Sequence, residues 1–535
     1  MNKDMYNQPT EPWYDDDITD KRVRGAGGAS APPGGGAQRN MSRRKLFGVA
    51  AAGVAGAAVL TAGGMAFTSE MQHGTWNPLA SSATNVQIGH LLRRAGFGAT
   101  PQEISSYASL GFSGVVDRLL NYQQVPDDAM ESRLKALNLD LNKPQNQQQW
   151  WLLRMAWTQR PLLEKMTLFW HGVLTSSYHK VGGKNAYGRM ITQNNFLRAH
   201  AFDTFDNIML GITADPAMLV YLDLTRSRKT APNENYAREM MELFTLGLGH
   251  YTQQDVYQGA AALTGWHVVG QTTQSHYLPF DHNDLTKTFL GHTGNLDYKD
   301  VINILVNHPA TPWFICRKLF TFFTYENPSN EELTPLVDTY VKSGHNMGAV
   351  MRTLLLSPQF SSTKAYRSRL KSPTEFVAGA YRALNVQGNG KALPVMTTLM
   401  GQTLFDPPNV AGWPGDKVSA LWLNSGTWMT RLNYIDLLLS NRNPRNPTYA
   451  LIDLQGIVNA NHIDTPEHFV DYFASFLLDG QISTDRHAQL VAYFNQQESG
   501  MVVQRITLTN GKSYPINRVR GTLYLLMATP EYQLN

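Results

Sequence analysis

Apolar residues recur at intervals of three and four along most of the chain beyond residue 86, as in Trp150-Trp151-Leu152-Leu153-Met155-Ala156 and Trp313-Phe314-Ile315-Leu319-Phe320. That spacing predicts helices with one buried face. Helix starts are marked by Ser or Thr directly before Pro at Thr100, Thr311, Thr334, Ser357, Ser372, Thr465 and Thr529. Each pair has the pattern of an N-cap followed by Pro at the first helical position. Glu103, Glu375 and Glu467 follow in three of the first turns, where they complete capping boxes or favour the helix dipole. Strand-like alternation is scarce, and only 501–513, with Asn510-Gly511 at its turn, predicts a β-hairpin. The expected fold is mainly α: a large multi-helix globular domain with long Trp/Pro/Gly-rich loops and one small β-hairpin. Residues 67–384 read as an N-terminal helical half and 393–535 as a C-terminal half, divided by the Gly/Asn-rich stretch 385–392. A likeness between 351–360 and 521–532 makes an internal duplication a candidate.

Composition narrows the class. A chain of 535 residues that is 42% apolar and 16% charged can bury a large core, which excludes wholesale disorder. Its net charge of +4 comes with no basic run that could follow a phosphate backbone, so no nucleic-acid partner is expected. Cys316 is the sole cysteine, which excludes intramolecular disulfides and multi-thiolate metal sites. Residues 1–40 read as a disordered extension. Residues 41–66 read as an export signal: Ser42-Arg43-Arg44-Lys45-Leu46-Phe47 leads a weakly apolar, charge-free run, with Gly64-Met65-Ala66 at a candidate cleavage site. The paired arginines resemble the twin-arginine motif, whose export machinery carries folded proteins. Met41 is a second candidate start, and an uncleaved signal would be the only membrane contact. The expected location is bacterial, periplasmic or secreted.

The strongest chemical signal lies in 232–247. At about 100° per residue, Tyr236, Ala237, Met240, Met241, Leu243 and Phe244 share one face, while Asn235, Arg238, Glu239 and Glu242 lie opposite. Glu239 and Glu242 are spatial neighbours at this spacing. Such a pair can divide into an acid and a base, or bind a hard cation; a solvated face steadied by Arg238 is the plainer alternative. Asp255 reads as a first-turn residue of the next helix, which ends at Trp266. His171 and His200, in apolar helices, are candidate bases or ligands as well as candidate core histidines. No HExxH, CxxC or phosphate loop accompanies them, so metal and cofactor stay unassigned. The loop 405–415, with Trp413, and the following Trp422 and Asn424 form a candidate binding surface or a seal on the core.

Several of these stretches occur in order in one known family. His90-Leu91-Leu92-Arg93-Arg94-Ala95-Gly96-Phe97-Gly98, Phe169-Trp170-His171, Asp215-Pro216-Ala217-Met218-Leu219, Tyr221-Leu222-Asp223, the 233–247 block, Thr264-Gly265-Trp266 and the 405–415 loop resemble the bacterial exported family catalogued as domain of unknown function 1800. The chain departs from it where Val173 replaces a second histidine after His171, and at His282-Asn283-Asp284. The resemblance implies a largely helical exported protein and no established reaction.

Two readings follow. In the first, an enzyme acts on an extracytoplasmic polymer, a glycan, with Glu239 and Glu242 as acid and base, Arg238 tuning them, His171 or His200 assisting, and Asn235, Trp266, Trp413, Trp422 and Asn424 binding substrate. In the second, a non-catalytic protein binds a polymer or a co-exported protein. A metal-dependent enzyme using the same acids is a third class.

Overall fold

Helix caps and glycines cut the apolar periodicity into short helices that pack around one core. A computed structural model describes residues 84–182, 187–440, 452–497 and 504–535, all within one compact unit. The predicted extension, the signal segment and the start of the hairpin at Met501 lie outside the described residues. The helices used below are α1 (Thr84–Arg94), α2 (Pro144–Trp157), α3 (Pro161–Val173), α4 (Tyr187–Ala199), α5 (Phe205–Ala214), α6 (Pro216–Tyr221), α7 (Glu234–Glu239), α8 (Gln253–Ala262), α9 (Tyr298–Asn307), α10 (Ala310–Phe323), α11 (Pro373–Ala383), α12 (Leu393–Leu399), α13 (Ser425–Ser440), α14 (Pro466–Leu477) and α15 (Ile516–Met527). The fold is mainly α, as expected.

Among the described residues there are three antiparallel pairs: β1 (Trp266–Val268) with β2 (Ser275–Tyr277), β3 (Lys287–Phe289) with β4 (His292–Gly294), and β5 (Arg505–Thr507) with β6 (Ser513–Pro515). The last is the predicted hairpin, turned through Gly511 at φ +84°. The first two were not expected, because three-residue strands are too short to show alternation.

Four of the seven Ser/Thr-Pro starts cap helices. Thr100 with Glu103 and Ser372 with Glu375 form capping boxes, and Thr465 and Thr529 accept from first-turn amides. Three expectations are corrected. Thr311 lies inside α10, its hydroxyl donating to the Leu305 carbonyl at 2.5 Å. Pro335 lies within the helix Asn330–Lys342 because a Ser329/Glu332 capping box starts it earlier. Ser357 serves a turn, its hydroxyl accepting from the Phe360 amide at 3.2 Å.

Helices α11 and α12, on either side of 385–392, pack on one another and both on α2. Charge is buried along with apolar surface. Arg94 donates to the carbonyls of Phe322, Phe323 and Thr324, each at 3.0 Å, closing the C-terminus of α10. Lys165 pairs with Glu375 in the core. Asp479, beyond α14, accepts from Arg93 (2.5 Å), Tyr366 (2.7 Å) and Arg367 (2.9 Å).

Candidate functional site

Asn233 starts α7 by accepting from the Asn235 amide at 3.0 Å. After Glu239 the backbone widens: Met240–Thr245 is a π-helical turn, and the Leu246 amide reaches five residues back to the Met241 carbonyl at 2.8 Å. The apolar face holds, with Tyr236, Ala237, Met240, Met241 and Phe244 buried and packed toward α9 and α10. Asn235, Arg238, Glu239 and Glu242 stay on the half-buried side. The even 3.6-residue pattern gave no hint of the π turn. Such turns are rare and occur often at functional sites.

The two glutamates have different surroundings. Glu242 accepts the Tyr251 hydroxyl at 2.8 Å. Glu239 has no hydrogen bond or ion pair among the described residues, and burial, then the neighbouring Glu242 charge, raise its pKa above the ordinary carboxylate value. Arg238 opposes that rise from a distance only. It does not pair with either acid, donating instead to Glu234 at 3.0 Å and Gln253 at 2.9 Å. The alternative of a solvated face with Arg238 satisfying one of the two carboxylates is therefore not what the structure has.

Other acids come from distant segments, held in place by α6. Asp215 caps α6, accepting from the Met218 amide at 2.9 Å and the Gln193 side chain at 2.8 Å. At the other end, Tyr221 lies in the electrostatic reach of both Asp406 and Glu239. Asp406 accepts from Ser177 at 2.5 Å and contacts His179 at 2.8 Å. Asp223 accepts from Lys180 at 2.8 Å and faces the Asn235 amide at 3.4 Å. Asn235 and Glu239 thus join a polar locus with Tyr221, Asp223 and Asp406. Sequence reasoning gave the last three no role. Their signal was their presence in the same ordered motifs, but nothing local says that loop 405–415 meets α6.

The remaining candidates lie elsewhere. His171 is a core residue: its Nε2 accepts the Phe405 amide at 3.0 Å, its ring packs on Trp151, Phe405 and Trp413, and burial lowers its pKa to about 3. Trp413 and Trp422 are only 2% and 5% exposed, so they seal the core and offer no open indole face. Gly415 makes room for the Trp422 ring, which a Cβ there would meet at 2.3 Å. Asn424 directly precedes α13 and its side-chain oxygen accepts the Thr427 amide at 3.0 Å. Trp266 does not end α8, which stops at Ala262 ahead of Gly265 at φ +104°; it opens β1 instead, buried against Tyr277 and Tyr298. His200 ends α4 and pairs with Asp203 at 2.8 Å; neither histidine is bonded to Glu239 or Glu242. Asp255 completes a capping box with Thr252, its expected place. Among the described residues no three His, Cys, Asp or Glu side chains are grouped to hold a metal ion, and no helix is long and apolar enough to cross a membrane.

No curated protein and no solved structure matches the chain. A protein-family model described as "Protein of unknown function (DUF1800)" matches residues 90–534. That span contains α2 to α15 and every member of the polar locus, and the chain belongs to this family.

Proposed function

We propose that the chain is an exported bacterial enzyme that acts on an extracytoplasmic polymer, a glycan, by carboxylate acid/base chemistry. The observation that carries this reading is the unequal treatment of two adjacent carboxyls: Glu239 is half-buried and unbonded, while Glu242 is held by Tyr251. Environments that push two titratable groups apart are how one site obtains an acid and a base together. Glu239, whose hold on a proton is strengthened by burial and by Glu242, donates to the leaving oxygen. Glu242, held by Tyr251, takes the proton of the water that attacks the sugar carbon as the glycosidic bond breaks. Asn235 and Tyr221 supply polar contacts at the same locus. Export rests on the twin-arginine-type segment in the sequence. A polymer-binding role built on Trp413 and Trp422 has less support, since both rings are buried.

The test is reducing-sugar release from a panel of bacterial and plant polysaccharides. Glu239→Gln should abolish turnover while its melting temperature stays within about 1 °C, because the side chain it replaces is half-buried and makes no hydrogen bond or ion pair among the described residues. Full activity in that variant, or none in the unaltered protein on any polymer, would sink the assignment.

A further inference from the structure

Residues 220–228 serve two places at once. Tyr221 and Asp223 belong to the polar locus, whereas Val220, Thr225 and Arg228 line a separate cavity of about 500 Å³. Arg189 of α4, His267 of β1 and Gly270 of the β1–β2 loop also line it.

The charge in this cavity is unbalanced. Arg189 is 3% exposed, and it is fixed by donating to the carbonyls of Thr272 (2.7 Å) and Gly270 (2.8 Å). Arg228 donates a single nitrogen to the carbonyls of Thr225 and Ser227, both at 2.8 Å. Neither guanidinium forms an ion pair with a carboxylate among the described residues. His267 differs, lying 2.8 Å from Asp281. Burial lowers the Arg189 pKa with no acid acting against it. A charge kept in such a place ordinarily has a counter-charge, and a guanidinium whose orientation is already fixed is suited to a planar or tetrahedral oxyanion.

We propose that this cavity binds an oxyanion, a phosphate or a carboxylate, between Arg189 and Arg228, and that the polymer acted on carries such groups. The second clause rests on the proposed function; the first stands without it.

Isothermal titration calorimetry of the full chain with sodium phosphate and with sodium glucuronate tests it. At least one ion should bind in the millimolar range, and Arg228→Gln should weaken it about tenfold or more. Arg228 is exposed and touches only backbone carbonyls, so this variant should fold; Arg189→Gln is a second variant, read only if its melting curve stays cooperative. Phosphate binding alone assigns the cavity to phosphate groups, and glucuronate binding assigns it to the carboxylate of an acidic sugar. No heat from either ion at about 20 mM, or wild-type binding by Arg228→Gln, overturns the proposal. Glu239→Gln should keep full ion binding, so loss of turnover and loss of binding report separately on the two sites.

Discussion

Replacing Asp479 by Asn should cost about 3–5 kcal/mol of stability, the usual result of leaving buried charges unpaired. The side chain is 2% exposed and is shared by Arg93 and Arg367, whose own side chains are each 6% exposed. Asn keeps the shape and one acceptor oxygen but loses the charge. It also tolerates the backbone, which at Asp479 has φ +55°, a conformation that Asn adopts as readily as Asp. The substitution therefore keeps the backbone and removes the charge together with one of the two acceptors that Arg93, Tyr366 and Arg367 share. A unit of this size unfolds with about 2 cal/mol/K per residue, so its melting midpoint should fall by about 3–5 °C at pH 7. Differential scanning calorimetry measures this directly. Acid gives an internal control. Burial pushes the Asp479 carboxyl up, yet Arg93 and Arg367 override it and hold it well below the ordinary carboxylate range. A depressed acid stabilises above its unfolded pKa of about 4 and loses that contribution as pH falls. The gap between the two proteins should accordingly narrow below pH about 4. An unchanged midpoint at pH 7 would refute the reasoning.

Other expectations are briefer. His90 and His171 are both held to about 3, chiefly by burial; the unfolded chain therefore binds more protons below pH about 6.5, and stability should decline by about 1.4 kcal/mol per pH unit for each as pH drops toward 4, readable by urea titration at several pH values. His171→Phe should leave the Phe405 amide unsatisfied at a cost of about 1–3 kcal/mol and make loop 405–415 more susceptible to limited proteolysis; equal cleavage rates would argue against the link. Gly412→Ala should destabilise severely, since Gly412 has φ +81° and a Cβ there would meet the Gly172 carbonyl oxygen at 2.4 Å. A drop of less than about 1 kcal/mol in a urea melt would count against that packing.

Periodicity and caps made the helical class legible, and the Glu239/Glu242 face with it, because these depend on residues within a few turns of each other. The π turn escaped because it changes the backbone without changing which residues are apolar. The direct partner of Arg238 escaped because Glu234, one turn earlier, competes for it with the glutamates that follow. Trp413 and Trp422 looked like binding residues because a Pro/Gly-rich loop is ordinarily on the surface; only the contact of loop 405–415 with α3 shows that they close the core. Asp223 and Asp406 share the Glu239 locus through packing between segments far apart in the chain, which no local pattern encodes.

The contact between Arg93 and Asp479 spans 386 residues, and this has a consequence for how the protein is made. While the ribosome has still to reach residue 479, α1 can form but its arginine has no acid to meet. Contacts of such long range are slow to form because chain closure precedes their reward. This buried pair therefore closes late, after the near-sequence packing of α1 has had time to form. Until then Arg93 sits among apolar neighbours without its acid, and a chain stopped short of residue 479 should be more prone to aggregate than the longer one.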